Sequence, residues 1–149
     1  MKVQDLMTAE FASCRPDTTL HEVARLFVEH DCGCLPVVES EKSGKLVGVI
    51  TDRDIVVRSI AEGRNPMELT AEECMTSSSL STVTPETDIE ECCHIMERAR
   101  VRRLPVVETR AGARCIGMIS QADIATGGSE HQTAEVVRTI SEAPGQGLM

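Results

Sequence analysis

Gly48-Val49-Ile50-Thr51-Asp52-Arg53-Asp54-Ile55 reads as an apolar strand that runs straight into a helix. It returns as Gly117-Met118-Ile119-Ser120-Gln121-Ala122-Asp123-Ile124, an offset of 69 residues. In each copy a hydroxyl residue stands where the helix is capped, and an aspartate follows three positions later. Two further blocks keep the same offset: Pro16-Asp17-Thr18 with Pro85-Glu86-Thr87, and Leu35-Pro36-Val37-Val38-Glu39 with Leu104-Pro105-Val106-Val107-Glu108. A weaker echo at an offset of 68 sets Leu6-Met7-Thr8 against Cys74-Met75-Thr76. Three blocks in one register make the chain two copies of one unit.

Each copy then reads outward from its corner. Thr19-Leu20-His21-Glu22 is a capping box, and Leu20, Val23, Ala24, Phe27 and Val28 recur at helical spacing, predicting an inward stripe. Ile89, Cys92, Cys93 and Met96 hold the same stripe in the second copy. Strands are predicted over 34–38 and 45–50, joined by the turn 39–44, and the helix after Thr51 is expected to carry Ile55, Val56 and Ile60 inward. The second copy repeats this with strands over 104–107 and 115–119. Thr70-Ala71-Glu72-Glu73 opens another short helix, and Ala134, Val137 and Ile140 predict a last one over 130–141. The expected division is a first unit at 1–63, a linker at 64–72, a second unit at 73–126, and a helix with a loose tail at 127–149.

Composition narrows the function classes. With 149 residues and 41% apolar residues the chain can bury a core, and with no Trp or Tyr and two Phe that core is aliphatic. A net charge of −9 argues against non-specific attraction to nucleic acid or anionic lipid. No run approaches the ~18 apolar residues of a membrane span. Seven cysteines, an odd number, fit a reducing cytoplasm better than a secreted disulfide framework.

The paired Pro-x-Thr helix, Leu-Pro-Val-Val strand and Gly-x-x-Thr/Ser-x-x-Asp corner resemble a tandem CBS domain pair, or Bateman module, over roughly residues 2 to 125. The resemblance implies an α+β fold of two β-α-β-β-α units packed about a pseudo-two-fold axis. It also implies a free-standing module that dimerises and binds adenine nucleotides between its units.

The corner chemistry suits such a ligand. A helix start offers backbone N–H groups and a positive dipole end to phosphate. Thr51 or Ser120 adds a hydroxyl donor, and Asp54 or Asp123 offers carboxylate oxygens to ribose hydroxyls. Gly48 and Gly117 would admit a ligand or a neighbouring strand close to the backbone. Thr51 with Asp54 is equally an ordinary helix cap with an acidic first turn. The resemblance pairs Thr51 and Asp54 with Arg102, Arg103 and Leu104, and Ser120 and Asp123 with Gly33, Cys34 and Leu35. Arg53 and Arg103 would then hold phosphate at the first site, where the second has Ala122 and Cys34, so the first is expected to bind more tightly. Cys34-Leu35-Pro36 and Leu104-Pro105 would form the base slot, and the family also uses residues before Pro-x-Thr, here Ser13, Cys14, Ser81 and Thr82.

The function expected is therefore a regulatory sensor of AMP, ADP or ATP, with NAD or S-adenosylmethionine as alternatives. It would be a cytoplasmic homodimer that acts on a separate, unidentified protein, without catalysis and without a required cofactor. The rival readings are a ligand-free dimeric scaffold and, less favoured, a metal site at His30 with Cys32-Gly33-Cys34, where no second Cys/His pair stands at zinc-like spacing. A catalytic reading lacks a positioned base beside any cysteine.

Overall fold

The computed structural model describes residues 1–127; the helix expected over 130–141 lies outside them. In chain order the elements are α1 (Val3–Leu6), α2 (Leu20–Glu29), β1 (Cys34–Val38), β2 (Leu46–Thr51), α3 (Asp52–Arg58), α4 (Ala71–Cys74), α5 (Ile89–Ala99), β3 (Arg103–Glu108), β4 (Arg114–Ser120) and α6 (Gln121–Gly127). Three 3-10 turns at Ile60–Glu62, Pro66–Glu68 and Thr109–Ala111 complete the set. Helices and small antiparallel sheets alternate as the α+β reading requires.

The chain forms two compact units, and they do not follow the sequence repeats. A central unit spans Ala12–Leu80, and a composite unit joins Met1–Phe11 to the chain from Ser81 onward. These bodies cut the chain at other points than the repeats expected at 1–63 and 73–126. The reason lies in the offset-68 echo. Thr76, from the second repeat, exchanges both hydrogen bonds with Val49 of β2 at 2.9 Å each. Thr8, from the first repeat, does the same with Met118 of β4 at 2.8 and 3.0 Å. Each repeat's opening helix and the short strand behind it thus complete the sheet of the other repeat's body.

Within each unit the sheet is built alike. In the central unit β1 and β2 pair antiparallel, with Cys34 opposite Thr51 and Val37 opposite Gly48. Cys14 lies parallel beside Val37, so the first strand of the β-α-β-β-α order is reduced to a single bridge. In the composite unit β3 and β4 set Arg103 opposite Ser120 and Val106 opposite Gly117, with Val83 bridging Val106. Gly48 and Gly117 are explained by the crossing segments. A Cβ on Gly48 would lie 2.7 Å from Met75 Sδ and 3.0 Å from Thr76 O, and one on Gly117 would lie 2.9 Å from Thr8 O. The close approach is by a neighbouring strand of the same unit.

Each unit has its own aliphatic core. Leu20, Val23, Leu35, Val37, Ile50 and Ala71 centre the central one, and Val3, Ile89, Met96, Leu104, Val106, Ile119 and Ile124 the composite one. Cys92 and Cys93 are both buried, as small core residues. The helix stripes are narrower than expected. On α2 the inward face is Leu20 and Val23 with half-buried Leu26 and Phe27, whereas Ala24 faces outward and Val28 is 84% exposed. After α3 the chain leaves helical register at Ser59, whose buried hydroxyl donates to Ile55 O. Ile55 stays half-buried, but Val56 and Ile60 are 52% and 57% exposed rather than inward.

Candidate functional site

The two strand-to-helix corners share one hydrogen-bonded design. Thr51 Oγ1 accepts from Asp54 N–H at 3.0 Å, and Asp54 Oδ2 accepts from Thr51 N–H at 3.0 Å. Ser120 Oγ accepts from Asp123 N–H at 3.1 Å, and Asp123 Oδ2 accepts from Ser120 N–H at 2.8 Å. The sequence motif is therefore a reciprocal capping box in both copies. Each hydroxyl keeps its own proton free to donate, because only its oxygen is used. Each aspartate commits one oxygen to the box, which leaves one rather than two for an outside donor.

The first-turn amides separate the corners. At α3, Asp52 N–H donates to Gly33 O at 3.0 Å, Arg53 N–H to Asp52 Oδ1 at 2.8 Å, and Asp54 N–H to the Thr51 hydroxyl. The expectation of free amides facing an anion is overturned here, since neighbouring oxygens already satisfy all three. At α6, Gln121 N–H donates to Arg102 O at 2.8 Å and Asp123 N–H to Ser120 Oγ, while Ala122 N–H has no partner among the described residues. The difference traces to the residue before it. Asp52 bends its carboxylate back onto the next amide; Gln121 does not make that bond. Gly33 belongs to the same arrangement, because a Cβ there would lie 2.8 Å from Asp52 Oδ2. The matching position in the composite unit is Arg102.

Exposure differs too. Thr51 is 5% exposed, while Ser120 and Asp123 are half-buried. The Asp54 side chain is 17% exposed, and its Oδ1 faces Arg58 Nε at 4.0 Å. Arg53 is exposed on the first turn of α3. Sequence reasoning missed Arg58, which donates from Nη1 to Met75 O at 2.6 Å and to Cys74 O at 3.2 Å. It is a cation set at the C-terminus of α4, where the carbonyls lack helical partners. The offset of 69 places Gly127 at the corresponding position, against Leu6 of α1, so nothing in the repeat itself signalled Arg58.

The remaining expected residues fall as follows. Leu35 and Leu104 are core side chains at 1% exposure and present only backbone to a ligand, and Pro36 and Pro105 are buried with them. Cys34 is buried beside Thr51, and Arg103 is exposed beside Ser120. Ser13 and Cys14 line a cavity of about 430 Å³ with Arg15, Glu22, Val38 and Glu41. That cavity sits at the Val38 end of β1, whereas Thr51 lies opposite Cys34 at the other end, about 13 Å along the strand. Burial pushes the Cys14 thiol up to about 12, which removes it as a nucleophile at neutral pH. Ser81 and Thr82 precede Val83, whose N–H donates to Pro105 O at 3.1 Å. Arg98 pairs with Glu91 at 3.4 Å on an exposed face, and Arg100 is an exposed left-handed helix cap. Among the described residues no three or more His, Cys, Asp or Glu stand together so as to hold a metal, and no helix is long and apolar enough to cross a membrane.

A duplicated sheet unit with a Thr/Ser-x-x-Asp corner in each copy defines a class, and comparison with known proteins names it. The CBS domain sequence pattern matches residues 3–60 and again 71–129, so the chain belongs to the CBS domain family as a tandem pair. The chain is 33% identical over 132 residues to CBS domain-containing protein YhcV of Bacillus subtilis, covering 89% of each. It is 34% identical over 137 residues to Hypoxic response protein 1 of Mycobacterium tuberculosis, covering 92% of each. The crystal structure of that protein with two coordinated zinc ions superposes with a TM-score of 0.75 over 85% of this chain and 98% of the other, at 33% identity. The CBS domain pair of protein MJ0100, crystallised with 5′-methylthioadenosine and S-adenosyl-L-methionine, superposes with a TM-score of 0.72 over 85% of this chain and 98% of the other, at 25% identity.

Proposed function

We propose that this CBS pair is a regulatory module that binds an adenosine-type ligand through its two capped corners and conveys occupancy to a separate protein. The observation that carries the reading is the duplicated box. In both copies a hydroxyl proton and one carboxylate oxygen lie outside the box and can meet a ribose, the one on Asp54 also facing Arg58 Nε at 4.0 Å. The MJ0100 pair, with its two adenosine-bearing ligands, supports that class of ligand. It brings S-adenosylmethionine forward beside AMP, ADP and ATP, with NAD in the same class. Ligand contacts are assigned to Thr51, Arg53, Asp54, Ser120 and Asp123. Gly33 to Pro36 and Arg102 to Leu104 join them from the adjoining strands, and Ser13, Cys14, Ser81 and Thr82 from the segments before each Pro-x-Thr block.

The corners are ranked by what they leave available. The Ser120 corner has at Ala122 an amide with no partner among the described residues, and Arg103 sits opposite it in the sheet, whereas the Thr51 corner has its amides filled and Asp52 beside them. An anion-bearing ligand therefore favours Ser120 and Asp123, the reverse of the order expected from sequence. The role is non-catalytic and the protein is placed in the cytoplasm as a homodimer; its seven free thiols suit a reducing compartment.

A second reading, the ligand-free scaffold, draws on the filled amides and the 5% exposure of Thr51. Isothermal titration of Asp54→Asn and Asp123→Asn against S-adenosylmethionine, 5′-methylthioadenosine, AMP, ADP and ATP separates the two. Asparagine keeps a box acceptor and removes the charge, so the fold stays. Binding that drops by about tenfold or more, further for Asp123→Asn, supports the sensor; no binding by the unsubstituted protein supports the scaffold.

A further inference from the structure

Arg58 joins the Thr51 corner to the segment on which the chain leaves the central unit. It stands one turn after Asp54 on α3, with Nε 4.0 Å from Asp54 Oδ1, the carboxylate oxygen outside the capping box. Its Nη1 reaches the other way, to Met75 O at 2.6 Å and Cys74 O at 3.2 Å, at the end of α4. The next residue, Thr76, exchanges both backbone bonds with Val49 of β2, and the central unit ends shortly after, at Leu80. One guanidinium thus spans from the acceptor assigned to a ribose to the carbonyls just before that strand contact.

The repeat supplies a control. The position matching Arg58 in the composite unit is Gly127, and Leu6, which matches Cys74, sits directly against it. Glycine has no side chain to reach Asp123, so only the Thr51 corner has this connection. A ribose hydroxyl donating to Asp54 Oδ1 and the Nε–H of Arg58 draw on the same oxygen. The other oxygen is held by Thr51 N–H at 3.0 Å, so the carboxylate cannot turn to serve both without opening the box. A hydroxyl gained at Oδ1 therefore weakens the hold on Nε, and a guanidinium held less firmly grips the Cys74 and Met75 carbonyls less firmly. Linkage makes the effect mutual: whatever the ligand takes from Arg58, Arg58 takes from the ligand.

We propose that Arg58 is a positioning residue that opposes ligand binding at the Thr51 corner and passes occupancy to Met75 and Thr76, whose bonds to Val49 loosen when a ribose meets Asp54. The proposal rests on the adenosine reading above and gives that reading a route out of the central unit. The probe is 5′-methylthioadenosine, which has no phosphate to attract the guanidinium. Affinity is read at the Thr51 amide resonance and loosening as hydrogen exchange at Thr76, in the unsubstituted protein, Arg58→Met, Arg58→Lys, Asp54→Asn and the Asp54→Asn/Arg58→Met pair. Saturation should speed Thr76 exchange by about two- to fivefold in the unsubstituted protein and leave it unchanged in Arg58→Met. Arg58→Met should bind the nucleoside about two- to fivefold more tightly at this corner, where a merely structural loss would weaken binding, and Arg58→Lys should fall between. Without ligand, Asp54→Asn should speed Thr76 exchange when Arg58 is present and have no effect beside Arg58→Met. Thermal unfolding checks that each variant is folded. A bound corner with unchanged Thr76 exchange, weaker binding by Arg58→Met, or an Asp54→Asn effect that persists without Arg58 overturns the proposal. A Thr51 amide silent to the nucleoside counts against the sensor reading instead, and the ligand-free comparison still decides whether Asp54 and Arg58 are coupled.

Discussion

Replacing Arg58 by Met removes the cation that holds α4 and the segment behind it against the central unit. The guanidinium donates at 2.6 and 3.2 Å to the Met75 and Cys74 carbonyls, and Thr76 immediately follows with both bonds to Val49. A buried charged hydrogen bond contributes about 1.5–3 kcal/mol. Here the side chain is 42% exposed, so water competes, and each contact is reduced to about 0.5–1 kcal/mol. Methionine keeps the length of the stem and the helix propensity of α3, so apart from the 4.0 Å contact with Asp54 Oδ1 little else changes. The expected loss is about 1–2 kcal/mol, and at about 2–4 °C per kcal/mol for a chain of this size the Tm falls by about 2–8 °C. Urea unfolding gives the free energy, and hydrogen exchange at Thr76 and Val49 gives the location. Arg58→Lys should recover part of the loss, since lysine supplies the charge without the fork. A stability change below about 0.3 kcal/mol, or unchanged exchange at Thr76, refutes the claim that Arg58 fastens this segment.

Three further outcomes follow from the same packing. Gly117→Ala forces a Cβ to within 2.9 Å of the Thr8 carbonyl and should cost about 1–3 kcal/mol in urea unfolding; a neutral result would show that the crossing segment yields freely. Val3→Ala removes a fully buried side chain of the composite core and should cost about 1.5–3 kcal/mol in urea unfolding, where a neutral result would show that α1 is not packed there. Burial pushes the thiols of Cys14 and Cys92 up to about 12 and that of Cys115 up to about 11. Unfolding lets them ionise near their ordinary value of about 8.5, so their contribution is intact below that pH and is lost as pH climbs towards the folded values. The urea midpoint should therefore be lower at pH 10 than at pH 7.5, and an equal midpoint contradicts the burial of these thiols.

Much of the architecture was legible because it is written twice. Pattern and turn chemistry placed the starts of α2 and α5 and the strands β1 to β4 to within a residue or two, and the Thr70–Glu73 box appears with Thr70 N–H donating to Glu73 Oε2 at 2.8 Å. That bond is the first cause holding the Glu73 carboxyl below its ordinary range. What sequence could not convey is which body a short helix joins. Leu6-Met7-Thr8 and Cys74-Met75-Thr76 read as the opening of their own repeats, and only the strand contacts at Met118 and Val49 show the exchange. Helical periodicity likewise cannot tell how wide a stripe is covered, which is why Val28, Val56 and Ile60 read as core and are exposed. At the site the motif residues were evident, but their hydrogen bonds were not. The Asp52 carboxylate on the Arg53 amide depends on a side-chain turn that no spacing reveals, and it changes which corner is open.

The central claim is that the two corners receive an adenosine-type ligand. The most direct measurement is a titration of ¹⁵N-labelled protein with S-adenosylmethionine, 5′-methylthioadenosine, AMP and ATP, followed by amide resonances. The account predicts shifts confined to Thr51–Asp54, Ser120–Asp123, the strand residues beside them and the segments at Ser13–Cys14 and Ser81–Thr82, largest at the Ala122 amide. Silence at both corners under saturating concentrations of all four, or shifts confined to other surfaces, contradicts it.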